Sequence, residues 1–472
     1  MNESNTPQPA PEAPPFDPNA DHHARPRLRP SVVGRPVPVK NQEGQQATML
    51  GLMDRNEVTD KRVVVNAIAQ FILPQMNGQN SVDQILGLAK QQATNANVPA
   101  NAVVKLAGEH VQQLVAQLDV AGMLEGPTFD AMLQKMHEDF DSSDVLPPAS
   151  TATMADMLVM GDVGQDATDE QKKELGPQKL RETFDKSIDE ALKKAENPAF
   201  DALPHAILVP HLDYPRGWRQ YGAAYGRLRT TPRPDRVIIL GANHFGFGTG
   251  VVGCDKAFET PLGRMDLDAD FLDRLKGKLG DDNAQRLMEH RYDHEREHSI
   301  ELQVPWIQHT MSEDGKTPKM CAFLIHDPSR KEGGESYDGN GLGLTPFTEA
   351  LQATIAESPG LTLVIASGNL SHVGQQFGDN VKLAGDDEQG KQFQQQTAGR
   401  DQEMINLLRE GKASEFIAAM AWQQNPTRWT STGTIAAMML AFDGAKLEVM
   451  DYGGAIDPQG TSLITAAAGV VR

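Results

Sequence analysis

The feature that most constrains this chain is an alternation that begins near residue 201. Five short apolar runs, "HAILVP", "RVIIL", "MCAFLI", "TLVIAS" and "LEVMDY", recur with helical patterns between them, "STGTIAAMMLAF" for example. Short apolar runs separated by helix-length segments predict an α/β fold, a mainly parallel sheet flanked by helices. In open sheets of this kind a ligand sits beyond the carboxyl ends of the strands. "ILVP" leads to His211, Asp213 and Tyr214, and "VIILG" to Asn243 and His244. "CAFLI" leads to His326 and Asp327, and "LVIAS" to Asn369, Ser371 and His372. Nine of the thirteen histidines lie between residues 205 and 372. Four of them stand at corresponding strand ends, which favours one shared site over four separate core residues. Gly241 and Gly246 beside His244 let the backbone approach closely.

A further cluster is "HRYDHEREHSIELQVPWIQH". His298 and Glu301 are three apart, on one helical face. Imidazole with carboxylate suits either a divalent metal or proton transfer, and spacing alone leaves a structural role equally open. His290, His294, Glu295 and Arg296 read as a solvated charged loop. "GANHFGFG" has neither GxGxxG spacing nor a Walker lysine, so no nucleotide cofactor is expected. Ser371 beside His372 raises a serine nucleophile, but "NLSHVG" lacks the GxSxG elbow. Cys254 and Cys321, the only cysteines, read as small buried residues. They cannot build a disulfide framework or a cysteine-based zinc site.

At 472 residues the chain is too long for one ordinary domain. Residues 1–47, rich in proline and polar groups, are expected to be disordered or loosely extended. Residues 48–127 read as a small, mostly helical domain. Ser81 with Gln84 gives a capping box, Val111, Leu114, Val115 and Leu118 form one stripe, and Gly122, Gly126 and Pro127 end it. Its layout, "LPQMNGQNSVDQI … LVAQLDVAGMLEGP", resembles the PqqD-like, winged-helix peptide-recognition fold, with an independent helical cap or dimerisation module as the alternative. Residues 128–200 are expected to be a linker with helices, and residues 201–472 the α/β domain. A formal net charge of −20 argues against nucleic acid. The start lacks a basic n-region and an apolar h-region, and no run is long enough to span a bilayer. A cytoplasmic protein without membrane contact is expected.

Across residues 201–472 the chain resembles the Memo family, and within it the AmmeMemoRadiSam system protein B group. The blocks that carry the resemblance are "ILVPHLDY", "VIILGANHFG", "ETPLGRMDLD", "HSIELQVPW", "SGNLSHVGQQFG" and "STGTIAAMMLAF", in that order. The resemblance implies a fold shared with class III extradiol dioxygenases, which open catechol rings with non-haem iron. It also implies a metal, Fe(II) or copper, held by two histidines and a cysteine. The histidines fall on His211 and His244, and the cysteine position falls on Thr430. The aspartate and histidine of the family's S-S-D-x-x-H block fall on Asn369 and His372.

A threonine hydroxyl is a poor ligand for a soft metal, and Asn369 cannot act as a base. The third ligand is left open among Thr430, Glu301 and His326. His372 or His298, with Glu301, is assigned acid/base work. Tyr214 is assigned a hydrogen bond to a substrate oxygen, and Asn243 and Asn369 line the pocket. The family's "AGxFYP"-like start is replaced by "MADMLVMGDVGQ". Two functions follow as expectations. One is a metal-dependent, dioxygenase-like oxidoreductase acting on a small molecule. The other is a non-catalytic component that binds a peptide or small ligand, with radical SAM and AMMECR1-domain proteins as partners.

Overall fold

The computed structural model describes residues 15–40 and 46–472, apart from residues 314, 332, 333, 386 and 443. The chain divides into two compact units, Met1–Ser142 and Ser143–Arg472.

In the first unit an antiparallel sheet runs in the order β1 (Val32–Lys40), β2 (Gln46–Asp54), β3 (Val63–Val65). Helices Val82–Asn95, Gly108–Val120 and Pro127–Asp141 accompany it. The Ser81–Gln84 capping box forms. Ile85, Val111, Val115 and Leu118 are buried with Leu52 of β2 in one core. The unit therefore adds a three-stranded sheet to its helices. β1 hides in the sequence because Pro36 and Pro38 interrupt its pattern, and proline is tolerated there because β1 is an edge strand. Within the stretch expected to be loosely extended, Asp21–Ala24 is helical and Val32–Lys40 is paired. Residues 1–14 and 41–45 of that stretch lie outside the described residues.

The second unit carries β4 (Val145–Leu146), β5 (Ala206–Val209), β6 (Arg236–Ala242), β7 (Val252–Gly253), β8 (Ala257–Thr260), β9 (Gly263–Met265), β10 (Lys319–Ile325), β11 (Thr362–Ser367), β12 (His372–Val373), β13 (Glu448–Ile456) and β14 (Leu463–Val471). The main sheet has the order β12-β14-β5-β11-β6-β10-β7, with β13 on β14. β5, β11, β6 and β10 are parallel, and their crossovers carry helices. β7, β12, β13 and β14 pair antiparallel, so the sheet is parallel at its centre and antiparallel at its margins. β4, β8 and β9 form a small separate sheet.

The central strands are buried on both sides, which is why they read as unbroken apolar runs. Ile238, Leu240, Phe323 and Val364 share a core with Ile435 and Ala436 of helix Thr432–Leu440. Phe184, Tyr214, Tyr221, Tyr225 and Trp306 form a second, aromatic cluster. Helices Ser150–Val163 and Asp169–Leu192 fall inside this unit and pack on it, although the sequence reads them as connector. Because β5 and β6 flank β11, their carboxyl ends bring residues 210–211, 243–244 and 368–372 to one edge. Among the described residues no helix is long and apolar enough to cross a membrane.

Candidate metal centre

Three imidazoles meet at that edge. His211 follows β5, His244 follows β6, and His298 opens the one-turn helix His298–Glu301. One ring nitrogen of each lies within 4.8 Å of the others. Ring centroids are 4.9 Å apart for His211 and His244, 5.0 Å for His244 and His298, and 5.5 Å for His211 and His298. Thr430 Oγ1 stands 3.3 Å from His211 Nε2. The other nitrogen of His211, Nδ1, is buried without a hydrogen-bond partner. Burial, reinforced by the neighbouring imidazoles, pushes the His211 pKa well below the ordinary histidine value. Burial also lowers that of His298, against the opposing pull of Glu297. Neutral imidazole is the form that ligates a metal.

The spacing fits an ion. A zinc-like ion sits ~2.0–2.1 Å from each imidazole nitrogen, so its ligand nitrogens are ~3–4 Å from one another. The ligand nitrogens, all within 4.8 Å of one another, are close enough for one ion to reach the three. The orphaned Nδ1 and the all-nitrogen donor set suit a borderline divalent metal.

A buried carboxylate stands behind the cluster. Glu297, whose side chain is 0% exposed, lies with Oε1 3.0 Å from His244 Nδ1 and 3.5 Å from His298 Nδ1. It also accepts from the backbone N–H groups of His244 and Ser299, at 2.8 Å each. A second acid, Asp293, holds the loop after His244. It accepts from Asn243 Nδ2 and from the N–H groups of Phe247 and Gly248. A side chain at Gly246 would collide with Asp293 and Asn243, so glycine is required there by close approach. Gly241 plays the same part against Ser299 and Ile300.

The remaining expected site residues fall in different places. His372 is at the rim, close enough for its charge to interact with that of His244. Its Nδ1 lies 3.0 Å from the carbonyl oxygen of Leu370. A carbonyl only accepts, so Nδ1 carries the proton and Nε2 the lone pair. Burial lowers the His372 pKa to about 4. Asn369 Oδ1 accepts from the backbone N–H of His211 at 3.0 Å and so anchors that residue.

Three assignments need correction. Glu301 is turned away from the cluster: its oxygens accept from the N–H groups of Ala149, Ser150 and Thr151, at 2.9 Å each, and from Thr151 Oγ1 at 2.6 Å. It caps helix Ser150–Val163. Tyr214 lies in the aromatic cluster and donates its hydroxyl to Leu302 O. His326 is buried with Nε2 3.1 Å from the carbonyl oxygens of Gly334 and Glu335, outside the cluster. Ser371, already disfavoured as a nucleophile by its sequence context, donates to Asp401. Cys254 and Cys321 are buried, and burial pushes the Cys254 thiol up to about 12.

Sequence reasoning missed Glu297 and Asp293 altogether. It also placed His294 in solvent, whereas His294 is 2% exposed with Nε2 3.2 Å from Val252 O. The run "HRYDHERE" has no apolar period to show that it turns inward. The available signal was its abutment on the buried "SIELQVPW".

A mixed sheet that brings imidazoles from two parallel strands to one edge defines the unit as an α/β protein. Residues 174–470 match the family model described as Memo-like protein, and the chain belongs to that family. The match starts inside helix Asp169–Leu192, earlier than the sequence blocks alone would place it, in agreement with that helix packing on the α/β unit. The MEMO1 family protein of Methanopyrus kandleri is 30% identical over 202 residues, 42% of this chain and 59% of its own length. That of Thermus thermophilus is 26% identical over 278 residues, 59% of this chain and 74% of its own. That of Aquifex aeolicus is 25% identical over 252 residues, 53% and 57% respectively. The chain spans about half to three quarters of the length of the curated relatives it matches.

Proposed function

We propose that this Memo-family chain binds one divalent metal ion through His211, His244 and His298, in a pocket like that of the non-haem iron dioxygenases. The observation that carries the reading is the approach of three imidazole nitrogens to within 4.8 Å of one another. The hydroxyl of Thr430, at the family cysteine position, contributes little to a soft ion, so three neutral imidazoles favour Fe(II) or another borderline ion over copper(I). An ion held there supplies a Lewis acid to a substrate oxygen. The chain's own residues do the rest. Asn369 fixes the His211 backbone, and Asp293 and Asn243 shape the loop that carries His244. His372 offers Nε2 as acceptor for a substrate hydroxyl proton. On this reading the protein is a dioxygenase-like oxidoreductase acting with the AmmeMemoRadiSam system.

A second reading rests on Thr430 and Asn369 standing where the family has cysteine and aspartate. In it the pocket holds a peptide or small ligand without turnover, as a partner of radical SAM and AMMECR1-domain proteins, with the first unit serving PqqD-like peptide recruitment. Anaerobic purification, loading with Fe(II), copper or zinc, and elemental analysis of wild type and His244→Ala separate the two. One ion per wild-type chain and loss in the variant are expected. Absence of stoichiometric metal under every loading condition would end the metal reading.

A further inference from the structure

On the reading of the pocket as a metal site, we propose that Glu297 is a positioning residue that holds His244 with the ring proton on Nδ1, so that its Nε2 lone pair joins His211 and His298 around one zinc-like or iron(II) ion.

The tautomer follows from who can donate. An ionised carboxylate only accepts. Both oxygens of Glu297 already accept from backbone N–H groups, the arrangement of a carboxylate with no proton to give. The His244 nitrogen 3.0 Å away must therefore be N–H, and in a neutral ring the lone pair is then on Nε2. The same oxygen faces His298 Nδ1 at 3.5 Å. That distance is longer than a hydrogen bond, so the ring that Glu297 sets is His244.

Its own position is fixed by donors that cannot change role, the backbone N–H groups of His244 and Ser299. Ser299 ties the start of helix His298–Glu301 to the end of β6, since its Oγ bonds both Ala242 N and Ala242 O at 3.1 Å. The two histidines are consequently mounted on one frame with the carboxylate between their supports. Glu297 also sets one negative charge behind three neutral ligands. Outer carboxylates of this kind raise ligand basicity and hold ring orientation, and their loss weakens metal binding by ~10–100-fold.

The test uses the full-length chain as wild type, Glu297→Gln and Glu297→Asp. Ring-nitrogen NMR of metal-free, 15N-histidine-labelled protein reports the tautomer. Zinc affinity is read by competition with a chromophoric chelator, and the visible spectrum of the cobalt-loaded protein reports ligand geometry. In the Gln variant one carboxylate oxygen becomes an NH2 group. Both oxygens stand 3.0–3.2 Å from His244 Nδ1 and each accepts a backbone N–H, so the NH2 group deprives one backbone donor of its acceptor and presents a donor to Nδ1, which drives the ring proton to Nε2. The expected results are a tautomer switch, zinc weakened ~10–100-fold and an altered cobalt spectrum. Glu297→Asp, which keeps the charge, is expected to retain the wild-type tautomer and to recover part of the affinity, and it carries the comparison should the Gln variant not fold. An unchanged tautomer with affinity within twofold of wild type in folded Glu297→Gln would overturn the positioning role. Wild-type protein with the Nδ1–H tautomer but no bound ion would instead overturn the metal reading and leave the positioning role standing.

Discussion

Among the described residues two clusters bring histidine and its neighbours within metal-ligating reach, and they are built in opposite ways. In the second unit, His244 turns Nδ1 to a carboxylate that can only accept, so Nε2 has the lone pair. In the first unit, His22, His23 and Asp119 also bring ligand atoms within 4.8 Å of one another. There the backbone N–H of Asp17 donates to His23 Nδ1 at 3.0 Å. A backbone N–H can only donate, so Nδ1 holds the lone pair and Nε2 the proton. That proton faces Asp119 Oδ2, 3.3 Å away. A metal at His23 Nε2 would have to displace the proton and leave an imidazolate, or break the bond from Asp17. Proximity of ligand-type residues is therefore a weak criterion, and the partner of the far nitrogen decides.

The largest contrast to test is stoichiometry. One ion per chain is expected, with His211→Ala bringing metal content toward zero and His23→Ala leaving it at one, measured by elemental analysis after desalting. Two ions per chain, or an ion lost with His23, would break the comparison. Stability should move the other way. Asp119 is 9% exposed and accepts from Thr128 Oγ1 at 3.1 Å as well as facing His22 and His23. Asp119→Ala removes the acceptor of Thr128 and the carboxylate beside the two imidazoles, and should cost about 1 kcal/mol. The expected result is a lower urea midpoint for the first unit with metal content unchanged. A midpoint equal to wild type would show that the cluster is not a structural hub.

These differences explain what the sequence could and could not disclose. The central sheet was legible because strands buried on both faces must be apolar throughout. His211 and His244 were legible because they follow such strands. The third imidazole, His298, comes from no strand end, so it was read as an acid/base residue. Asp293, His294 and Glu297 sit in a run whose charges look solvated, and only the folded chain shows that they point inward. Tautomers are invisible in sequence altogether, since they depend on one hydrogen-bond partner, a donor such as the Asp17 N–H or an acceptor such as the Glu297 carboxylate. β1 was hidden by Pro36 and Pro38, which mark an edge strand only once its partner is known.

Glu301 sharpens the same lesson at the smallest scale. It lies four residues from Glu297, and both acids are buried. Its spacing from His298 put it on the same helical face, but the helix is a single turn. Its oxygens go to the start of helix Ser150–Val163, up to 152 positions away in the chain, a contact that no local pattern encodes. A carboxylate there answers three N–H groups at a helix N-terminus, where negative charge is favourable. Glu301→Gln keeps one accepting oxygen and loses the charge, so it should destabilise the second unit by about 1 kcal/mol. Because its oxygens contact none of the three rings, zinc affinity should stay within about twofold of wild type, against the ~10–100-fold loss expected at Glu297. Thermal denaturation and chelator competition on the same sample check both halves. Loss of affinity in Glu301→Gln with an unchanged melting temperature would mean that the second acid, and not only the first, supports the imidazoles.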